Sequence, residues 1–580
     1  MFTLVSCQSP LEGDAQRQLN EAVNASIQRE LNAMPDADPQ ITLSPDNILG
    51  EELSSRKAEL DALGPQVSSA GAGLDVGASL DGGDMPVASI SLESAIQSAV
   101  ENNLGVQQTR INQGISAAEV VRAEAAFDAV FGAGVDFARI NENNPDLVIG
   151  GGGIVPPDVF VQDQDLRQWG FTTDLSTRTT SGGQIGIGFG SQNQAIFNSS
   201  SLDPNPAWNT DVTLGVGQPL LRGFGEDVNT AEIQLARNAD RRSAVEIRSE
   251  LLDLLVNVES AYWNLVFARQ RLVVSDWLVA EGERIRVILD SRRGFDTTMA
   301  QYADAVATVE SRKTLVIEAR RDIGKASDQL KVLLNDPAMP VGGEIDLIPV
   351  DFMVDSAITY SLRDSVMTAL ERSPLLDLAT LSIDDASIAE IVARNGRLPQ
   401  LDLAAEVSWL GLASSVGTSM NEVNGEFVDY LLGLQFSQAV GNRAAESVFR
   451  QARLQRSSAV IAYQQAVQKV LFDVKNSIRD IRAEFALIGQ ARSFRLAQAE
   501  NLRALEALQQ TLAALTPEFL SLLFQRQDRL AQAQLQELEA MVSYNVAVAD
   551  LERAMGTGLQ ANKIDLIVVD PEASGETDSQ

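Results

Sequence analysis

The sequence contains no histidine and only one cysteine, Cys7, among its 580 residues. The absence of histidine excludes a Ser-His-Asp triad, a histidine metal site and imidazole acid–base chemistry. A single cysteine excludes an intrachain disulfide framework and CxxC redox chemistry. Acidic residues are plentiful, but no nucleophile–base constellation accompanies them. We therefore expect no enzymatic activity, no metal site and no cofactor.

Basic residues are scarce: 45 Lys and Arg stand against 79 Asp and Glu, which gives a net charge of −34. Such a surface disfavours nucleic acid and anionic lipid headgroups as partners. Long apolar runs are also missing, since stretches such as Leu251–Val256 fall far short of the roughly 20 residues of a transmembrane helix. A membrane span in this chain would therefore have to be a closed β-barrel.

The N-terminus resembles a lipoprotein signal box. Leu4-Val5-Ser6-Cys7 predicts lipid attachment at Cys7. The charged n-region is absent and the apolar run is shorter than the usual span of about 7–15 residues, so an incidental cysteine in a frayed terminus is the alternative. The rest of residues 1–88 predicts short helices and a linker rich in Gly, Ala and Asp.

An internal repeat with a shift of 270 residues organises most of the chain. Residues 91–137 align without a gap on residues 361–407. Both copies change from a helical pattern to an alternation of apolar with small or charged residues, which is typical of a two-faced strand. Returning strands follow at Trp208–Gly217 and Asp429–Ser437. Residues 171–177 and 184–190 predict an additional hairpin in the first copy.

The alternating strands predict a barrel with one apolar and one polar face. Two hairpins cannot close a barrel, so several copies of the chain must contribute strands. Trp208, Trp409 and Tyr430 suit an aromatic girdle, and the Gly, Asp, Ser and Glu of the other face suit a water-filled lumen. The side chains predicted to contact lipid are Phe131, Val135, Phe137, Val212, Leu214, Val216, Leu403, Val407, Trp409, Leu432, Leu434 and Phe436.

A very long helix follows the strands of each copy, predicted over residues 227–293 and 444–513, and roughly 100 Å long at 1.5 Å per residue. Steps of four and three residues recur in both, which predicts coiled-coil packing. These positions are Leu251, Leu255, Val258, Tyr262, Leu265, Arg269 and Leu272, then Val467, Leu471, Val474, Ile478, Ile481, Phe485 and Ile488.

Each long helix is predicted to end in a tight turn and double back. The first turn spans residues 293–296, with Asp296 as N-cap of a return helix over residues 297–335. The second lies near residues 514–517. There Thr516 suits the N-cap and Pro517 suits the first position of a return helix that ends near residue 555.

This order of elements resembles the TolC-type outer-membrane efflux protein family. The resemblance rests on Tyr262-Trp263, on Gln218-Pro219-Leu220-Leu221-Arg222-Gly223 and on Gly441-Asn442-Arg443, and it covers residues 89–559. It implies a homotrimer with one shared β-barrel in the outer membrane and an α-helical barrel in the periplasm. It also implies docking onto a periplasmic adaptor, powered by an inner-membrane pump or an ABC transporter.

The resemblance further implies functional residues at the helix turns. Turn tips of the family carry a glycine and an apolar residue that meet the adaptor, and here Ala514 replaces the second glycine. The candidate contacts are Arg293, Gly294, Phe295, Ala514, Leu515 and Thr516. Aspartates near the tip constrict the closed pore in the family, and the candidates here are Asp296, Asp304 and Glu518, with helix capping and solvated surface as the alternative.

The predicted fold class is an α+β membrane protein built from two repeats of helix, β-hairpin, long helix and return helix. An N-terminal segment (1–88) precedes repeat 1 (89–335), a connecting segment (336–360), repeat 2 (361–559) and an acidic disordered tail (560–580). The predicted function is a passive exit duct for efflux or type I secretion. The alternatives are a periplasmic coiled-coil scaffold or tether without a pore, and the periplasmic adaptor, which has one helical hairpin where this chain has two.

Overall fold

The structure is a computed structural model of the chain. It describes residues 85–147, 159–197, 204–293, 297–511 and 516–564, together with short pieces between residues 25 and 83. Outside the described residues lie Cys7, Gly294, Phe295, Asp296, Ala514 and Leu515. The chain forms two compact units, one from residues 1–113, 242–380 and 460–580, the other from residues 114–241 and 381–459.

Helices and strands make up most of the described chain. The helices are α1 (Lys57–Asp61), α2 (Leu92–Asn102), α3 (Leu104–Glu124), α4 (Glu226–Asn229), α5 (Ala231–Ser291), α6 (Met299–Leu334), α7 (Leu362–Arg372), α8 (Pro374–Asn395), α9 (Val416–Glu422), α10 (Arg443–Thr511), α11 (Pro517–Met555) and α12 (Gly558–Ala561). The strands are β1 (Ile41–Thr42), β2 (Val87–Ile90), β3 (Val130–Leu147), β4 (Val159–Arg178), β5 (Gln184–Phe197), β6 (Ala207–Pro219), β7 (Asp346–Pro349), β8 (Thr359–Tyr360), β9 (Gln400–Ala413) and β10 (Val428–Ser437). None of the helices in the described ranges combines the length and the apolar character of a transmembrane span.

The two series of elements begin at the same offset. α2 and α7, α3 and α8, and β3 and β9 each start 270 residues apart. Ser91 and Ser361 cap α2 and α7, because each side chain accepts a hydrogen bond from the backbone N–H three residues later. The shift read from the sequence therefore corresponds to a shift between matching elements.

The seams predicted on the two long helices are buried within the first unit. None of their fourteen side chains is more than 6% exposed. Leu265 of α5 belongs to a core that also takes residues from α2, α6 and β7, while Ile285 and Leu289 pack with α6, α10 and α11. Full burial of one such leucine stabilises the unit by roughly 1.5–3 kcal/mol.

The single glycine of α5, Gly282, makes room for a buried guanidinium. A Cβ there would lie 3.0 Å from Val309 and 3.4 Å from the Nη1 atom of Arg312. Arg312 is 3% exposed. It donates to the carbonyl of Leu278 at 2.8 Å and to the carboxylate of Asp528 at 2.7 Å. One arginine thus joins α5, α6 and α11 by charge-assisted hydrogen bonds.

Tyr262 and Trp263, two residues of the family resemblance, lie in the core of the first unit. The Tyr262 hydroxyl donates to the carboxylate of Asp351 at 2.7 Å. The same carboxylate accepts from the backbone N–H of Leu92, at the start of α2, at 2.6 Å. Burial and this carboxylate raise the pKa of Tyr262. The tyrosine therefore fixes the connecting segment against α2 and α5.

The connecting segment contributes β7, which pairs in parallel with β2. Arg269, the one charged residue of the first seam, serves this pairing. Its guanidinium donates to the carboxylate of Asp346 at 2.6 Å and to the carbonyl of Leu347 at 3.2 Å. Both members of the ion pair are buried, so removal of one would leave an uncompensated charge.

Two helices of the first repeat, α5 and α6, begin later than the sequence predicts. The N-cap of α6 is Thr298 rather than Asp296, because Thr298 and Gln301 form a reciprocal capping box. A cap at Asp296 would put Met299, which has no polar group, in the place of the glutamine. α5 begins at Ala231 rather than residue 227, after the separate turn α4.

The disorder predicted from residue 560 onward is wrong at its start. α12 extends through Ala561, and the described chain continues to Ile564. Leu559 is 6% exposed, Ile564 packs against the core of the first unit, and the backbone N–H of Ile564 donates to the carbonyl of Leu559 at 2.8 Å. Residues 560–564 contain no acidic residue, and apolar burial at Leu559 and Ile564 stabilises this segment against the helical core.

The second unit contains an antiparallel sheet of six strands in the order β10-β9-β6-β5-β4-β3. β4 and β5 are the additional hairpin of the first repeat, and they lie between β3 and β6. β3 and β10 form the edges. The strands run longer than the alternating segments, most of all at β3 and β4.

Candidate functional site

Each face of the six-stranded sheet has its own chemistry. Directly paired residues of neighbouring antiparallel strands point to the same face. One row is apolar from edge to edge and consists of Phe131, Leu175, Ile187, Leu214, Val407 and Tyr430. The next row consists of Ala133, Thr173, Phe189, Val212, Trp409 and Val428. We name the face that carries these rows the apolar face.

All twelve side chains predicted to contact lipid lie on the apolar face, at even spacings from these rows. Their exposure is high at the sheet edges: Val135 is 83% exposed and Leu432 is 80% exposed. Contiguous apolar surface of this kind is rare on monomeric soluble proteins and marks a membrane or a partner. The twelve side chains therefore share one surface, as the alternation of the sequence predicts, and their contact with lipid stays a prediction.

The opposite face, which we name the polar face, carries glycine, hydroxyl, amide and acidic side chains. Glycines stand opposite the acids: Gly170 pairs with Asp136, and Gly190 pairs with Asp211. A Cβ at Gly190 would lie 2.6 Å from a carboxylate oxygen of Asp211. The acids of this face whose side chains are described are Asp136, Asp174, Asp211, Asp402, Glu406 and Asp429.

The polar face also has departures from this pattern. Within the described part of these strands, Arg178 is the basic residue on the polar face. Leu410, Leu412 and Leu431 are large apolar residues on the same face. Acidic side chains outnumber the basic one, so the face carries a net negative charge that attracts cations.

Aromatic side chains concentrate on the apolar face. The rings of Trp169 and Trp208 meet edge to face with centroids 4.7 Å apart. Asn193 pairs with both tryptophans across its two neighbouring strands and is only 8% exposed. Trp208 and Trp409, predicted for an aromatic girdle, therefore share a face with Tyr430, and Trp169 joins them.

The short helix α9 covers part of the apolar face where polar side chains replace apolar ones. Ser419 of α9 is fully buried, and its hydroxyl donates to that of Thr210 at 2.5 Å. Thr210 in turn shares a hydrogen bond of 2.9 Å with Ser191. Gly411 permits this approach, because a Cβ there would collide with the backbone carbonyl of Ser419. Sequence analysis missed α9, although its N-cap Ser415 is a recognisable start signal.

The predicted turn tips are described only at their margins. Arg293 lies 3.8 Å from the ring centroid of Tyr302 and forms an ion pair with Asp290 at 3.2 Å. Thr516 accepts a hydrogen bond from the backbone N–H of Phe519 at 3.3 Å, and Pro517 is the first residue of α11. The N-cap predicted at Thr516 is therefore confirmed.

The two described candidates for a pore constriction are exposed. Asp304 lies on α6 and Glu518 in the first turn of α11. The apolar residues that follow Glu518 turn inward, since Phe519 is 9% exposed and Leu523 is fully buried. Solvent therefore reaches these two carboxylates but has little access to Phe519 and none to Leu523.

A second pair of carboxyl groups lies within the first unit, between α5 and α11. The pKa of Glu259 is raised to about 7, first by burial and then by the charge of Glu552, against the lowering effect of a hydrogen bond with the Asn562 side chain. Burial also raises the pKa of Glu552. Glu259 therefore titrates close to neutral pH, because burial and the nearby charge of Glu552 both disfavour its ionisation.

No protein-family model matches the sequence, and no curated protein matches it. Solved structures do match. A membrane protein from Pseudomonas aeruginosa aligns with a TM-score of 0.57 at 16% identity, over 80% of this chain and 93% of that chain. The open state of the MtrE outer membrane channel from Neisseria gonorrhoeae gives 0.55 at 17% identity, over 81% and 89%. The outer membrane protein VceC from Vibrio cholerae gives 0.56 at 13% identity, over 80% and 96%.

The chain has the fold of the TolC-type channels. This confirms the resemblance read from the sequence at the level of the fold, which is what identities of 13–17% support. Of the features of this fold, sequence analysis identified the residues of the apolar face most completely. The order of its six strands and the cover formed by α9 are the features that it missed.

Proposed function

We propose that the chain is one subunit of an outer-membrane channel, a passive exit duct for efflux or type I secretion. The observation that carries the proposal is the six-stranded sheet with one exposed apolar face and one acidic, glycine-rich face. Strands that separate lipid from a water-filled lumen need this alternation. The structurally similar MtrE is an outer membrane channel, which supports the same role here.

The length of the apolar strands supports a membrane span. On β10 the apolar face runs from Val428 to Phe436, and on β9 it runs from Leu401 to Trp409. Each segment has nine residues and measures about 30 Å at roughly 3.4 Å per residue. A tilted transmembrane strand needs about 9–11 residues, and the apolar band of such barrels is about 25 Å tall.

The sheet edges support assembly with further copies of the chain. β3 and β10 are the ends of the strand order, and the polar backbone groups of such edges are too costly to leave unpaired in lipid. Six alternating strands leave β3 and β10 running in opposite directions. β10 of one copy can therefore pair in antiparallel register with β3 of the next, and a ring of copies closes the wall. The TolC-type fold makes a homotrimer the proposed assembly.

The helical part of the chain is proposed to lie in the periplasm and to meet the partners of the channel. An adaptor would contact the turn tips at residues 293–295 and 514–516, and an inner-membrane pump or ABC transporter would supply the energy. The channel itself needs no catalytic group. Lipid attachment at Cys7 stays a prediction, as does a pore constriction at Asp296, Asp304 or Glu518.

Electron microscopy of the detergent-solubilised, full-length protein tests this proposal. We expect threefold particles with a ring of density inside a detergent belt, because the apolar face must be covered. Rods without a belt or a central pore would contradict the channel and favour the periplasmic scaffold. A variant with Leu432→Arg and Leu434→Arg on the apolar face is the matched control, since it should lose the belt while its buried helical seams stay intact.

A further inference from the structure

We propose that the hairpin β4–β5 is part of the membrane wall, so that each copy supplies six strands rather than the four of two hairpins. The inference rests on the proposed function, and with three copies it gives a barrel of 18 strands. The partner is a second copy of this chain, joined through β3 and β10. The consequence is a wider duct at its membrane end.

Hydrogen bonding makes β4 and β5 interior strands of the sheet. β4 pairs with β3 from Val130 to Leu147 and with β5 along Asp165–Arg178. β5 pairs with β6 from Gln184 to Gln194. If the hairpin left the wall, β3 would lose its ladder with β4 and β6 its ladder with β5, and the two strands would have to pair anew with each other. In lipid, each unsatisfied group costs several kcal/mol, about the full price of its desolvation.

Side chains of the hairpin follow the two faces of the wall in the same register. Leu175 and Ile187 stand in one row with Leu214 of β6, a residue predicted to contact lipid. On the polar face, Asp174 of β4 pairs with Gly188 of β5. The registers therefore place the hairpin at the height of the apolar band and continue both of its surfaces.

The turn of the hairpin is built into the base of the sheet. The backbone N–H of Thr179 donates to the carbonyl of Gly183 at 2.8 Å. Ser181 donates its hydroxyl proton to the side chain of Gln218, at the end of β6, at 3.1 Å. Gly182 has a φ of 90°, and a Cβ there would collide with the carbonyl of Gly223. A flap that folds away from the wall would not need this contact.

Strand number sets the width of a closed barrel. At a tilt of about 40° and a spacing of about 4.8 Å, 18 strands close at a backbone diameter of about 36 Å. Twelve strands, from two hairpins in each of three copies, would close at about 24 Å. The additional hairpin therefore widens the wall about 1.5-fold and its cross-section about 2.3-fold.

Cysteine pairs along one row of the sheet test the strand order in native membranes. The pairs Ala133→Cys with Thr173→Cys and Phe189→Cys with Val212→Cys join direct neighbours, and we expect them to form disulfides on mild oxidation. Ala133→Cys with Val212→Cys joins β3 and β6, which two intervening strands hold roughly 14 Å apart, beyond disulfide reach. Closure of that pair, with the neighbour pairs open, would overturn the inference. The single variants control for pairing with Cys7.

Reaction with a water-soluble maleimide separates this inference from the proposed function. Ile187→Cys on β5 and Leu214→Cys on β6 are direct partners on the apolar face. We expect both to be shielded by lipid in intact membranes and both to react after solubilisation and unfolding. Shielding at Leu214→Cys with reaction at Ile187→Cys would overturn the six-stranded wall and leave the channel standing. Reaction at both positions would contradict the channel as well.

Discussion

Apolar side chains of the two units have opposite surroundings. Leu265 in the helical seam of the first unit is fully buried, whereas Leu432 on β10 of the second unit is 80% exposed. In water, the hydrophobic effect favours the burial of leucine side chains. The exposed apolar side chains across the six strands support the proposal that lipid takes the place of water there. Under that proposal, the same residue type lies in two different solvents within one chain.

Truncation of a buried leucine should produce the largest difference in unfolding free energy between the two units. Leu265→Ala should lower the free energy of unfolding of the helical unit by about 2–5 kcal/mol, because it leaves a cavity in a closed core. Leu432→Ala should change it by less than about 1 kcal/mol, since its side chain contacts detergent or lipid in both states. Denaturation of the solubilised protein, followed by helical circular dichroism, compares them. Equal losses would remove the distinction.

The reverse experiment introduces charge into the sheet. Leu432→Arg on the apolar face should destabilise membrane assembly by about 2–4 kcal/mol per copy, the cost of a charge on the lipid face near the midplane. Gln435→Arg, on the polar face of the same strand, should be close to neutral. The fraction of each variant that assembles in outer membranes is the measurement. A deficit of the same size for both would mean that water reaches both faces.

Sequence patterns predicted which face a side chain takes better than they predicted which strands are neighbours. A period of 3.5 residues identified seams that are buried at every position, Arg269 included. A period of two identified the apolar face from Phe131 to Phe436. Neither period contains information on strand order, because any neighbouring strand with the same alternation fits. The position of β4 and β5 between β3 and β6 can therefore be read only from the pairing registers of the structure.

The sequence also did not predict the N-cap of α6 or the short helix α9. Thr298 caps α6 because the Gln301 side chain accepts a hydrogen bond from the Thr298 backbone in return. The sequence alone offers Asp296 as an equally good cap two residues earlier. α9 covers Ser191 and Thr210, which the alternation alone would assign to a lipid contact. In both cases a tertiary or reciprocal hydrogen bond decides between local alternatives of similar propensity.

A smaller effect, confined to the helical unit, concerns pH. The pKa of Glu259 is about 7 in the folded chain against an ordinary value of 4.5, so the folded state holds this proton more tightly than the unfolded state. Stability should therefore fall as pH rises from about 4.5 to about 7, by about 1–3 kcal/mol in total. Glu259→Gln should flatten this window and be the more stable protein at pH 8. Denaturation of both proteins at pH 5, 6, 7 and 8 checks it, and identical slopes would contradict it.

The smallest effect concerns ion preference at the polar face of the sheet. The double variant Asp174→Asn with Asp211→Asn removes two carboxylates per copy, and we expect the cation-to-anion permeability ratio to fall roughly two-fold or more. Asp253→Asn with Asp364→Asn, on helices outside the sheet, is the matched change of two charges and should leave the ratio unchanged. Reversal potentials in planar bilayers under a salt gradient give the ratio. Anion preference in the unchanged protein would contradict an acidic lumen.

The central claim is that the two faces of the sheet meet two solvents, and β10 offers the most direct test. Spin labels attached to cysteines placed one at a time from Tyr430 to Phe436, in reconstituted membranes, report collision with oxygen in lipid and with a nickel chelate in water. We predict strict alternation: oxygen contact at positions 430, 432, 434 and 436, and nickel contact at positions 431, 433 and 435. Equal nickel contact along the whole strand would contradict the account.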